Sequence, residues 1–296
     1  MPLRALIAIS LIALITQAPA AGAKNSKSAA ILLAAGDIAN CSLKGAALTS
    51  RLISRLPGTV AALGDEAYPT GSASDYRRCY KPTWGRFKAR TRPTPGNHEY
   101  KLGNAAAYFN FFGRKAAPPG GYYGYQLGSW HIVVINSNCK FIGGCGPGSP
   151  QLDWLQANLA AHPARCTLAY WHHARFSEGP DTTYDPASAL ATQPVWETLA
   201  NAGAEVVLTA HDHMYERFAP FNGAGRKDPK HGVREFVVGT GGGPYYRVIK
   251  HVSGIQKVVT FHWGVLRLKL SSNGYNWQFL SAPSGTTLDS GSASCH

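Results

Sequence analysis

Ala29-Ala30-Ile31-Leu32-Leu33-Ala34-Ala35-Gly36-Asp37 and Thr59-Val60-Ala61-Ala62-Leu63-Gly64-Asp65 repeat one short pattern: an apolar run, a glycine, an aspartate. Each run has the length of a buried strand and is too short for a helix of ordinary length. Between them, Thr49–Leu56 places apolar residues on one helical face. Apolar strand, amphipathic helix, apolar strand is the pattern of a βαβ unit with parallel strands. Each strand then delivers an aspartate at its carboxyl end, where open α/β sheets place their ligands.

The pattern returns downstream with a different polar residue. Cys166–Trp171 is an apolar run ending at His172-His173, and Glu205–Thr209 ends at His211-Asp212-His213. Gln151–Leu159 and Pro194–Ala202 read as helices. Tyr122–Leu127 and His131–Asn136, split by Gly128-Ser129, read as a hairpin. Arg234–Val238, Val265–Leu270 and Trp277–Leu280 are β-like, and Gly239–Gly243 is a tight loop. Residues 68–95 are rich in turns and aromatics, residues 138–150 form a Gly/Cys/Pro loop, and Ser177–Thr192 is a long polar loop. Such a loop in a compact domain is usually functional. No internal repeat is visible. Alternating strands and helices, with a strand-rich middle and tail, predict an α/β fold: two packed mixed β-sheets flanked by helices, in one domain over residues 29–296.

The first residues stand apart from that domain. Arg4, the apolar run Ala5–Ile15 and the small residues Ala18–Ala23 read as a signal peptide over residues 1–23, followed by a linker over 24–28. The apolar run is shorter than the ~20 residues of a spanning helix, and no later stretch is long and apolar enough, so no membrane span is expected after signal removal. Export to the periplasm or the medium suits the six cysteines, all downstream of residue 23. An even number in an exported chain points to disulfides, with 15 possible pairings. The expected set is Cys139–Cys145 as a local clip, with Cys41–Cys79 and Cys166–Cys295 closing longer loops. No Cys-x-x-Cys pair suggests thiolate zinc. The formal charge of +13 suits solubility or steering of an anionic substrate. Lysines and arginines are dispersed, without the dense tract of a specific nucleic-acid binder.

Pro95-Gly96-Asn97-His98-Glu99 supplies further polar residues where a buried strand would need apolar ones. With it the candidate metal ligands become Asp37, Asp65, Tyr68, Asn97, His172, His211 and His213. Carboxylate, imidazole, amide and phenolate suit hard or borderline metals. Seven ligands exceed one ion's needs, and two ions sharing a carboxylate would use them all. Each residue alone has a plainer explanation. An aspartate after a strand caps a helix or forms a turn, alternate histidines on a strand merely share a face, and Tyr68 alone is a half-buried aromatic. Together, in this order, they point to a metal centre.

The series Gly36-Asp37, Gly64-Asp65-x-x-Tyr68, Gly96-Asn97-His98-Glu99, His172 and His211-x-His213 resembles the calcineurin-like metallophosphoesterase superfamily. More narrowly it resembles the purple acid phosphatases, in a short form without the N-terminal β-domain of the large plant enzymes. Ala39 stands where most of the superfamily has a histidine, and Tyr68 stands at the spacing of an iron-binding tyrosinate. His213–Arg217 and Val237–Gly242 are also similar to that family. Ala210 and Ala174 depart from its usual glycine and proline, and neither is a ligand position. The likeness runs from Ala29 to Gly243.

The resemblance implies a four-layer α/β/β/α metallophosphoesterase sandwich and two metal ions. Asp37, Tyr68 and His213 would hold Fe(III), and Asn97, His172 and His211 a divalent Fe, Zn or Mn, with Asp65 bridging. It further implies hydrolysis of phosphate monoesters, small-molecule substrates, by a metal-activated hydroxide. His98 and His173 are the candidates for protonating the leaving group or holding the phosphate. A phosphodiesterase or nuclease of the same fold and a secreted polyanion binder are the alternatives.

Overall fold

The structure is a computed structural model that describes residues 1–2 and 29–296. The signal-peptide and linker readings fall on residues 3–28, outside the described residues. Chain order runs β1 (Ala30–Ala35), α1 (Gly45–Ser54), β2 (Thr59–Leu63), α2 (Ala73–Asp75), β3 (Thr91–Thr94), α3 (Ala106–Phe112), β4 (Tyr123–Leu127), β5 (Trp130–Val134), α4 (Pro150–Ala161) and β6 (Thr167–His173). It continues α5 (Pro180–Tyr184), α6 (Pro186–Ala191), α7 (Gln193–Asn201), β7 (Val206–Ala210), β8 (Tyr215–Phe218), β9 (Arg234–Val238), β10 (Ile255–Val259), β11 (Gly264–Ser271), β12 (Gly274–Ser281) and β13 (Thr287–Ser294).

The βαβ unit forms. β1 and β2 pair in parallel, with Leu33 opposite Val60 and Ala35 opposite Ala62. β3 extends the parallel set, and β11, β12 and β13 continue from β1 as an antiparallel meander, giving the order β13-β12-β11-β1-β2-β3. The second sheet has the order β10-β8-β9-β7-β6-β5-β4. Its centre, β5, β6, β7 and β9, is parallel.

Side chains alternate across a strand, and that alternation builds the layers. From the second sheet, Ile132, Val134, Leu168, Tyr170, Val206 and Leu208 join Leu32, Leu33 and Leu266 of the first sheet in one core. Their sequence neighbours Val133, Ala169, Trp171 and Val207 pack instead with Leu152 and Leu155 of α4 and with Val195, Trp196 and Leu199 of α7. α1 adds Leu52 and Ile53 to the first core. Two mixed sheets flanked by helices are therefore the architecture.

Several local readings are corrected. Ser177–Thr192 holds two short helices, α5 and α6, each started by a proline at its first turn, a position that tolerates a missing N–H. Residues 68–95 are largely helical turns and end in β3, whose Pro93 weakens a strand signal. β13 reads TLDSGSAS, a polar edge strand without alternation of apolar residues. All three expected disulfides are present. Cys166–Cys295 ties the start of β6 to the end of β13, across the two sheets. Among the described residues no helix is long and apolar enough to cross a membrane.

Candidate metal centre

A single parallel sheet would collect the strand-end residues along one edge, but the structure divides the work between two sheets. Asp37, Asp65 and Asn97 follow β1, β2 and β3 of the first sheet, whereas His172 ends β6 and His211 follows β7 of the second. The strand ends interlock. The N–H of Asp37 donates to Gly64 O at 3.1 Å, that of Ile38 to Asp65 O at 2.8 Å, and that of His211 to Asp37 Oδ2 at 2.8 Å. Asp37, Asp65 and His211 take φ of 56°, 50° and 73°, the left-handed region that residues with a Cβ rarely occupy. Strain of this kind persists only where surrounding contacts impose it, typically at functional sites. Gly36 makes room for the departure at Ala210, since a Cβ on it would stand 2.5 Å from the Ala210 methyl. Gly96 passes so close to Asp65 that a Cβ there would strike the Asp65 carboxylate and backbone nitrogen.

The structure brings all seven candidate ligands together, in two groups. In one, Tyr68 Oη donates to Asp37 Oδ1 at 2.8 Å and lies 3.2 Å from His213 Nε2, which is 3.3 Å from Asp37 Oδ1. In the other, His172 Nε2 lies 3.0 Å from Asn97 Oδ1 and 3.2 Å from His211 Nδ1. Asp65 touches both: Oδ2 is 3.1 Å from Tyr68 Oη, and Oδ1 is 3.5 Å from His172 Nε2. The far ring nitrogens are fixed by backbone. His172 Nδ1 meets Leu63 O and His213 Nδ1 meets Pro244 O, both at 2.8 Å, which turns each Nε2 toward the centre. The Tyr246 ring stacks on His213 at 4.1 Å.

Protonation follows burial and charge. Burial raises the Asp37 carboxyl, but His213, His172 and His211 outweigh it and hold the group well below the usual carboxylate range. Burial lowers His213, and the Asp37 charge reverses this and pushes it up to about 9. Burial and the neighbouring His172 push His211 down to about 4. Burial and the two aspartates push the Tyr68 phenol far up, so it is a neutral donor unless a cation displaces its proton. Buried carboxylates, imidazoles and a phenol converging at such distances fit cations. Donor atoms of Asp37, Asp65 and His172 alone lie within 4.8 Å of one another.

The sequence matches the family described as Calcineurin-like phosphoesterase over residues 10–215. The chain belongs to that family. No curated protein matches the sequence. Among solved structures, a purple acid phosphatase from yellow lupin (Lupinus luteus) seeds is similar, with a TM-score of 0.74 at 15% identity over 90% of this chain and 54% of that one. The chain thus spans about half the length of the lupin protein. GAP50, the anchor in the inner membrane complex of Plasmodium, is similar with a TM-score of 0.68 at 13% identity, over 91% of this chain and 90% of that one. PhoD gives 0.64 at 15%, over 90% and 68%. At these identities the likeness is one of fold, a purple acid phosphatase-like metallophosphoesterase sandwich.

The calcineurin-like phosphoesterase family implies a dinuclear metal site, and the residues around the two donor groups divide by position. His98 is partly buried beside Asp65, with its side chain 18% exposed. Its Nδ1 meets Pro69 O at 2.6 Å, and its Nε2 lies 3.7 Å from Asp65 Oδ2 and 3.0 Å from Lys101 Nζ. His173 is buried, with Nδ1 2.8 Å from Ser137 Oγ. Burial, then His211 and His172, keep it neutral well below its ordinary value.

The sequence reading left Glu99 without a role. In the structure its Oε2 accepts the N–H of Asp65 at 2.9 Å and of Gly96 at 2.8 Å, and its Oε1 accepts that of Ala67 at 3.3 Å. The signal was present, since Glu99 closes the motif around Asn97. Asp212, between the two histidines, accepts the N–H groups of Asp181 and Thr182 and so anchors α5. Ser137 and Tyr246 carried no signal, because their partners are distant in sequence.

Proposed function

We propose that the protein is an exported dinuclear-metal hydrolase that cleaves phosphate monoesters, acid phosphatase-like in chemistry. One observation carries this reading: the two oxygens of Asp65 face two separate donor groups, one containing Tyr68 and the other Asn97. In this reading Asp37, Tyr68 and His213 would hold Fe(III), Asn97, His172 and His211 would hold divalent Fe, Zn or Mn, and Asp65 would be shared between the two sites. The anionic phenolate favours the trivalent ion, and the neutral amide leaves the other site less negative. Two such ions supply Lewis-acid stabilisation of phosphoryl charge and a nucleophile at neutral or acidic pH.

The chain's own residues do the rest. Asp65, Asp37 and His211, held in strained backbone, fix the donor positions before substrate arrives. His98 Nδ1 is tied to Pro69 O, which leaves Nε2 turned toward Asp65 and Lys101, so that nitrogen can hold the phosphate or deliver a proton to the departing alkoxide. His173, neutral and bonded to Ser137, suits a hydrogen bond to substrate better than proton donation. Three disulfides suit an oxidising compartment, secreted or periplasmic.

Ala39, buried against Ala67 where most of the superfamily has a histidine, and the Tyr68 phenol favour monoesters over the diesters of the alternative reading. A protein of similar fold is described as the anchor in the inner membrane complex of Plasmodium, and the intact donor set speaks for an enzyme here. The test is hydrolysis of 4-nitrophenyl phosphate and bis(4-nitrophenyl) phosphate by metal-loaded protein, with Asp65→Ala and Asn97→Ala as variants. Faster monoester cleavage that both variants lose is expected. Full activity in the variants would sink the metal mechanism, and a diester preference would replace the monoester reading.

A further inference from the structure

Beside the Asn97 group the structure opens a cleft of about 540 Å³, with Asn97, His173 and His211 on its floor. One wall is a short loop clipped by Cys139–Cys145 and tied to the metal motif, since Asn138 Nδ2 donates to Pro95 O at 3.1 Å. That loop brings Lys140 and Phe141, and the segment after the Asn97 motif adds Tyr100 and Lys101 to the lining. The Phe141 ring stacks on Tyr100 at 4.6 Å, Lys140 Nζ lies 4.9 Å from the Phe141 centroid, and Lys101 Nζ reaches the His98 ring. α6 completes the lining with the small residues Ala187, Ser188 and Ala191. The lining also contains one carboxylate, Asp185, and it accepts a hydrogen bond from Ser188 Oγ at 2.8 Å. Among the described residues no carboxylate forms an ion pair with Lys101 or Lys140.

We infer that this cleft is a subsite for a second anionic group on the alcohol portion of the substrate, a carboxylate or a second phosphate, paired with Lys101 and Lys140. The inference rests on the phosphoesterase reading and refines it. With the scissile phosphate at the two donor groups, the alcohol portion has this cleft beside it, and its volume suits a group of sugar size. A strongly hydrated point charge such as an ammonium recognises either anion without selecting its shape.

The experiment compares matched pairs: 3-phosphoglycerate with glycerol 3-phosphate for the carboxylate, and fructose 1,6-bisphosphate with fructose 6-phosphate for the phosphate. In each pair kcat/KM of metal-loaded protein should favour the ester with the extra anion by about fivefold, mainly through KM, as two partly exposed ion pairs would give. Added salt should shrink the ratio. Lys140→Ala and Lys101→Ala should each bring it down, Lys140→Glu should invert it, and Lys140→Arg should keep it. A preference within only one pair identifies which anion the site takes. Ratios near one in the wild type, or ratios that ignore Lys140→Glu, overturn the subsite. If no ester is hydrolysed, the phosphoesterase reading fails by itself. Calorimetry with 3-phosphoglycerate and glycerol 3-phosphate then decides the subsite, and equal affinities overturn it.

Discussion

Glu99 Oε2 accepts the backbone N–H of Asp65 at 2.9 Å inside the protein, while its other contacts hold the turn at Gly96. One carboxylate thus fixes two of the loops that carry candidate ligands. Burial and the nearby Asp65 charge push the Glu99 carboxyl up to about 7. Glu99→Ala leaves the three buried N–H groups of Asp65, Gly96 and Ala67 without acceptors, at about 1–3 kcal/mol each. The variant should unfold several degrees lower and retain less metal per chain, read by thermal melts and metal analysis. Wild-type metal content in a destabilised variant would limit Glu99 to a role in folding.

Tyr68 donates its hydroxyl proton to Asp37, and a trivalent cation would replace that proton. Protein loaded with iron should show a visible tyrosinate charge-transfer band, and Tyr68→Phe should abolish it while the fold persists. Asp65→Ala should lower kcat/KM by a factor of at least ~10³, in line with removal of a group that organises transition-state charge. Chelation should remove activity and divalent metal should restore it. Colourless, fully active protein would contradict the ferric assignment.

Glu216 and Glu235 are buried, and burial pushes their carboxyls from 4.5 up to about 8 and about 7. Unfolded, both would titrate near the ordinary value. Between about pH 4.5 and 8 the folded protein therefore holds protons that the unfolded chain has released, and stability falls as pH rises through that window. Each group accounts for on the order of 3 to 5 kcal/mol across its own shift. Melting temperature should be higher at pH 5.5 than at pH 8. Glu216→Gln should flatten the dependence, and an unchanged slope would show that Glu216 does not titrate there.

Cys166 and Cys295 join the two sheets across a separation of 129 residues. Cys295 follows β13, an edge strand with little apolar surface of its own. The double variant Cys166→Ser/Cys295→Ser should lose about 2–4 kcal/mol by chemical denaturation. Cys139→Ser/Cys145→Ser opens a loop whose ends are separated by only 6 positions and should cost less stability. Its effect should appear in KM, because that loop forms the lysine wall of the cleft.

The sequence by itself determined what is local. Runs such as Ala30–Ala35 and Thr59–Leu63 reveal strands because their apolar length and the following Gly-Asp are written in neighbouring residues. The ligand candidates at strand ends were legible for the same reason, and so was the pairing of two packed sheets with helices. β3 and β13 were not, because a proline-containing edge strand and a polar edge strand acquire their conformation from the neighbour they pair with. Only the tertiary structure decided that Asp37 and Asp65 come from one sheet and His172 and His211 from the other. It alone placed Glu99 beneath Asp65, Ser137 beside His173 and Tyr246 over His213. Those contacts join residues 33 to 36 positions apart, from Tyr246 with His213 to Ser137 with His173, and no local pattern records them. They exist because burial in a shared core brings the strand ends within hydrogen-bond reach, where each buried polar group must find a partner.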